Sequence, residues 1–174
     1  WIKGFTSYID ERSALFQVGQ CNLYNNEWLQ QGIYGTSLYF VQQDSVFWRS
    51  SLWNQVGGTD STLKLAGDFA LWLRFSEHAE LYSFNIQVSC FRKVKGQLSE
   101  DINKYNDEVA SLICKKSTTF QQLKLNIFLY FHSKRRLNFL KKIIYSIFFP
   151  THIYHTIQLS HNPIELKLQS KFNS

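Results

Sequence analysis

Residues 68–91 most constrain what this chain can fold into. From Asp68 to about His78 the sequence reads as a helix carrying Phe69, Leu71, Trp72, Leu73 and Phe75. Immediately beyond it, over Leu81–Phe91, Tyr82, Phe84, Ile86, Val88 and Cys90 alternate with Ser83, Asn85, Gln87 and Ser89. That period of two marks a half-buried strand. Whatever core forms must therefore serve a helix and a strand that follow each other within a few residues.

The rest of the chain is arranged around this pair. Residues 1–37 mix aromatics with Gly, Ser and Asn and read as irregular loops with short elements. Leu38-Tyr39-Phe40-Val41 suits a short buried strand. Asp44 and Ser45 then stand where a cap would start a helix over about Val46–Val56, and Gly57-Gly58 supplies a left-handed stop. Trp48, Trp53 and Trp72 lie at helical spacing among other apolar residues and are expected in the core. Arg92–Gln97 reads as a basic loop, and Ser99 is the expected cap of a helix from about Asp101 to Cys114.

Charge divides the chain. Residues 1–114 hold 9 Lys/Arg against 12 Asp/Glu, whereas residues 115–174 hold 10 Lys/Arg and only Glu165. A near-neutral body, 1–114, is followed by a basic, aromatic-rich tail, 115–174, read as helices over about Phe120–Phe131 and Arg136–Phe149, with Pro150 as a stop. Little order is expected beyond about Ser160. A hydrophobic fraction of 44% and an aromatic fraction of 17% exclude a disordered chain. Cys21, Cys90 and Cys114 are odd in number and lack metal-ligand spacing, so they are expected as buried thiols in a reducing compartment. The chain starts at Trp1, contains no Met and shows no charged-then-apolar leader, so it is expected to be a fragment of a longer protein.

Asp68 is the candidate for chemistry. A carboxylate at a helix start is stabilised by unpaired backbone N–H groups, stays ionised, and can act as a general base if it faces a cleft; otherwise it is a cap. Around it, Phe40-Val41-Gln42-Gln43-Asp44-Ser45-Val46-Phe47-Trp48-Arg49 through Gly57-Gly58 resembles the C-terminal half of family 2 glycosyltransferases. Leu65-Ala66-Gly67-Asp68-Phe69-Ala70-Leu71-Trp72-Leu73-Arg74 resembles that family's acid-containing helix start. Phe91-Arg92 followed by Gly96-Gln97-Leu98-Ser99 resembles its donor-closing loop. The three pieces occur in the family's order and cover about Asn25–Ser99.

The resemblance implies an α/β chain, part of a GT-A (Rossmann-like) fold lacking its N-terminal nucleotide-binding half. It implies Asp68 as the catalytic base that takes the proton of an acceptor sugar hydroxyl. With Lys93-Val94-Lys95 where many relatives carry a His, Arg92, Lys93 and Lys95 would neutralise the donor diphosphate, or else form a solvated basic loop. Trp28 is the aromatic candidate for acceptor binding. Gln42 and Gln43 would line the acceptor cleft or satisfy backbone groups. Gly67 and Ala70 replace acids common in relatives, so Asp68 is not expected to need a strongly raised pKa. A divalent metal (Mg or Mn) is implied for the parent, but its Asp-x-Asp ligands are absent from this chain, and no metal site is expected here.

For the tail two readings stand together. The apolar, basic face of 120–150 could lie on an anionic membrane surface, or it could pack on the body. A transmembrane span is not expected, and neither is a nucleic-acid partner, because no recognition motif accompanies the charge. The sequence thus reads as part of an inverting transferase. Its parent would move a sugar from a nucleotide diphosphate to a glycan or lipid-linked acceptor in surface polysaccharide synthesis, in the cytoplasm and peripheral to the inner face of the cell membrane. The alternative is an inactive remnant or a membrane-surface or interaction module.

Overall fold

A computed structural model describes residues 1–22, 24–97, 101–113, 118–133, 155–159 and 166–170 of the chain. Strand β1 (Ile2–Ile9) runs through the middle of a mixed sheet. It pairs antiparallel with β2 (Leu15–Gln17) and β3 (Val46–Phe47), and parallel with β4 (Tyr82–Arg92). Beyond β4 come β5 (His155–Leu159), parallel to it, and β6 (Leu166–Ser170), antiparallel to β5. A parallel pair needs a long crossover, and the chain between β1 and β4 supplies helices α1 (Asn26–Gln30), α2 (Ser50–Val56) and α3 (Gly67–His78). Helices α4 (Ile102–Leu112) and α5 (Thr119–Ser133) follow. The architecture is mixed α/β.

Strand β1 corrects the expectation of irregular loops over residues 1–37. Its sequence has no clean alternation, because both of its long edges are paired and its polar side chains bond across the sheet. Ser7 Oγ donates to Gln87 Oε1 at 2.9 Å, and Thr6 Oγ1 lies 2.8 Å from Ser89 Oγ. The register with β4 jumps from Lys3↔Ser83 to Phe5↔Gln87 and then Thr6↔Ser89, so the longer β4 bulges along its partner. Those bulges also disturb the expected buried face of β4. Ser83 is buried, whereas Ile86 and Cys90 are exposed.

The core gathers the elements between β1 and β4. Trp72 and Phe75 of α3 are 2% and 0% exposed. Trp1 stacks on Trp72 at 5.1 Å, and Trp48 stacks on Trp53 at 5.9 Å. Trp72 Nε1 donates to the Val41 carbonyl at 3.2 Å, so this buried indole leaves no unpaired donor. Burial of such a ring stabilises by roughly 1.5–3 kcal/mol. The expectation of core packing for Trp48, Trp53 and Trp72 holds.

Other local expectations are redrawn. Leu38–Val41 forms no strand beyond a single bridge of Leu38 to Tyr34; Tyr39 instead packs edge-on to Tyr24. Gln43–Ser45 is a 3-10 turn, and Val46–Phe47 extends as β3. Helix α2 therefore starts only at Ser50, after an extended Arg49, while Gly57 and Gly58 end it at φ 76° and 71° as expected. Asp101 is the N-cap of α4, its side chain accepting from Lys104 N at 3.2 Å; the expected cap Ser99 lies outside the described residues. Cys21 is half-buried and Cys90 exposed rather than buried, and Cys114 lies outside the described residues.

In the tail, α5 agrees with the first expected helix, and the second, Arg136–Phe149, lies outside the described residues. Helix α5 packs on the body: Phe128 is 6% exposed, with its ring 4.6 Å from Trp28, and Gln121 Nε2 donates to Glu27 Oε1 at 2.6 Å. Phe120, Leu123 and Tyr130 stay exposed. Beyond Ser160, Leu166–Ser170 forms strand β6, and the other residues there lie outside the described ones. No helix among the described residues is long and apolar enough to cross a membrane.

Candidate functional site

Tyr8 near the end of β1 and Phe91 near the end of β4 are register partners, and both face a cleft of about 750 Å³. The cleft thus opens at the C-terminal ends of two parallel strands, the edge where α/β sheets leave room for ligands. Its other walls come from the 3-10 turn, from the start of α3 and from α4.

Asp68 enters this cleft from the first turn of α3 and is half-buried. Phe69 N donates to its Oδ1 at 2.7 Å. That bond favours the carboxylate, but burial outweighs it, and the Asp68 carboxyl is held above the ordinary carboxylate range. The helix terminus alone does not predict this rise, and the expectation that Asp68 needs no strongly raised pKa is not contradicted by it. The reason for the rise is its surroundings: Leu65, Tyr105 and Phe40 wall the cleft beside it.

The start of α3 is fixed from outside the helix. Ala66, its N-cap, has no capping side chain. Glu108 of α4 replaces one: its carboxylate accepts from Leu65 N and Ala66 N, each at 2.9 Å, and from Lys64 N at 3.3 Å. Those N–H groups hold the Glu108 carboxyl below its usual range, Ala66 contributing most. Tyr105, one turn earlier on α4, faces the cleft with Asp68. Burial first, and the Asp68 charge second, push its phenol well above the usual range. Tyr105 and Glu108 were not candidates from sequence, although Tyr105, Val109 and Leu112 already share one helical face.

Of the sequence candidates, the cleft gathers Asp68, Gln42, Gln43 and Lys93. Gln42 is also the residue whose carbonyl accepts from Ser45 Oγ at 2.9 Å, closing the 3-10 turn. Lys93 is exposed, and its Nζ lies 5.1 Å from the Tyr8 ring centroid, a cation–π distance.

The other three candidates lie elsewhere. Arg92 points to the β1–β2 turn, where it donates to the carbonyls of Asp10 at 3.0 Å and Glu11 at 3.1 Å and to Ser13 Oγ at 3.0 Å. Lys95 is exposed in the turn after β4 and does not line the cleft. Trp28 is 3% exposed inside the core against Phe128 and Tyr34, so it offers no face to a sugar. The polar residues around it bond within the fold: the buried N-cap Asn25 accepts from Trp28 N at 3.0 Å, and Asn26 Nδ2 donates to the Ser76 and Ala79 carbonyls, each at 3.2 Å.

Among the described residues no group of three or more His, Cys, Asp or Glu side chains could hold a metal ion. No family model, no curated protein and no solved structure matches this chain.

Proposed function

We propose that the chain supplies the acceptor-side half of an inverting, GT-A type glycosyltransferase, with Asp68 as its general base. One observation carries this reading: a half-buried carboxyl, raised above its ordinary range, stands in a cleft with Gln42, Gln43 and Lys93. A base of raised pKa takes a proton more readily than an ordinary aspartate.

In the proposed step the acceptor hydroxyl oxygen attacks the anomeric carbon of the donor as its proton passes to Asp68. The bond from that carbon to the nucleoside diphosphate breaks, and the leaving oxygen keeps the electron pair. Attack opposite the leaving group inverts the anomeric centre. Gln42 and Gln43 would hold acceptor hydroxyls, and Lys93 would offset charge on the departing diphosphate. Mg or Mn on the donor would be held mainly by residues that are not in this chain, as the resemblance implies. A glycan or lipid-linked acceptor in surface polysaccharide synthesis, at the cytoplasmic face of the membrane, fits the same reading.

The test is a panel of nucleotide-diphosphate sugars and oligosaccharide acceptors, offered to the protein that contains this sequence. Inverted product, read by NMR of the new anomeric centre, is the expected result. Product of retained configuration, or no transfer from any donor, contradicts it.

A second reading, a membrane-surface module, draws on exposed Phe120, Leu123 and Tyr130 of α5, with Lys124 Nζ 4.8 Å from the Phe120 ring centroid. Flotation with vesicles containing phosphatidylserine tests it. Binding that survives replacement of the three apolar residues by Ser speaks against it.

A further inference from the structure

Lys3 is the only charged side chain among the described residues that is fully buried, at 4% exposure. It lies on β1, in the middle of the sheet. Its Nζ donates to the neighbouring Gly4 carbonyl at 2.9 Å and stands 5.5 Å from the Tyr24 ring centroid. An ammonium has three donors, and this one hydrogen bond occupies one of them. The Asp44 charge favours the ammonium, but burial outweighs it and the pKa falls to about 8. An ammonium is costly to bury with so little compensation.

Lys3 also lines a cavity of about 470 Å³. Thr6, Gln17, Gln20 and Asn22 give that cavity a polar wall. Tyr8, Phe40 and Gln42 border both this cavity and the Asp68 cleft, so the two spaces adjoin. A ligand that places a hydroxyl at Asp68 can reach past Gln42 towards the lysine.

We propose that the cavity is an oxyanion subsite, in which Lys3 Nζ and the surrounding amides receive a carboxylate or phosphate carried by the acceptor. It deepens the glycosyl-transfer reading by making the acceptor acidic. Recognition of the anion itself rests on Lys3 and its cavity, without reference to catalysis. The Asp44 charge acts on Lys3 without a hydrogen bond to it, and the group would add a directly bonded anion, in a setting where charge-assisted bonds are strong.

Calorimetric titration of the 174-residue chain with glucuronic acid, glucose 6-phosphate and glucose at neutral pH tests this. At least one acid should bind about tenfold more tightly than glucose, a difference one good charge-assisted bond supplies. Preference for glucuronic acid indicates a uronic acid in the acceptor; preference for the phosphate indicates a phosphorylated or lipid-phosphate acceptor. Lys3→Met should abolish the preference, and Asp68→Asn should leave it intact, which separates failure of this subsite from failure of the catalytic reading. Should Lys3→Met fold poorly, the Lys3 Nζ and Cε resonances of the wild-type chain serve instead, their titration moving up from about 8 when the acid is bound. Acids that bind no better than glucose, a preference that survives Lys3→Met, or a Lys3 titration unmoved by the acids would overturn the proposal.

Discussion

The Glu108 carboxylate accepts the Ala66 backbone N–H at 2.9 Å, so one helix caps the start of another at the residue that leads into Asp68. Capping groups normally come from the helix's own N-terminal residues. Here the cap ties α4 to α3 and fixes the turn from which the proposed base projects.

Glu108→Gln should lower the melting temperature and, in an active protein, reduce transfer while Asp68 itself is unchanged. The pH sign follows from the lowered carboxyl. Its contribution is present above the unfolded carboxylate value and is lost as pH falls through the lower folded value. Thermal melts across acid pH should show a smaller acid loss for Glu108→Gln than for wild type; equal losses would contradict the role.

Asp68 has the opposite sign. Its carboxyl is raised by burial, so the folded state favours the protonated form. Stability from this group is present below the unfolded value and is lost as pH rises through the folded one. Asp68→Asn should therefore raise the melting temperature at neutral pH while removing activity. A lower melting temperature would show that the carboxylate is a structural cap.

Lys3 carries a larger linked effect. Its amine falls from 10.5 to about 8 on folding, so the unfolded chain binds more protons between those values and stability rises with pH across them. The cost of the buried charge below pH 8 is on the order of 3 kcal/mol. Lys3→Met should be more stable than wild type at pH 7 by an amount of that order, with the advantage fading above pH 10. Urea unfolding at the two pH values measures it.

Trp28→Ala should cost about 3–5 kcal/mol, the range for removing a large buried ring, and should loosen α5 through Phe128. A change below about 1 kcal/mol, as for a surface aromatic, would return Trp28 to the list of ligand-facing residues.

Much of the frame was legible because its residues answer to local physics. Helix α3 and the Gly57-Gly58 stop follow from side-chain period and from the need for positive φ. Strand β1 was not legible: Thr6 and Ser7 are buried because Ser89 and Gln87, far along the chain, bond to them, and Lys3 is buried beside them with the adjacent Gly4 carbonyl as its acceptor. The aromatic run Leu38–Val41 has strand propensity but no strand neighbour, so ring packing claims it instead. At the site, Asp68 could be singled out from its helix start, and Gln42, Gln43 and Lys93 from the resemblance. Tyr105 and Glu108 could not, because their roles exist only once α4 lies against α3. Arg92 and Lys93 adjoin in sequence, yet Arg92, the last residue of β4, bonds to the β1–β2 turn and Lys93, just past the strand, lines the cleft.

The most direct measurement is the single-turnover rate of sugar transfer by wild type and Asp68→Asn, with acceptor affinity measured alongside. If Asp68 is the base, the rate should fall by about 10²–10⁴-fold, the usual contribution of a positioned general base, with acceptor affinity nearly unchanged. A variant that transfers at close to the wild-type rate would contradict the proposed mechanism.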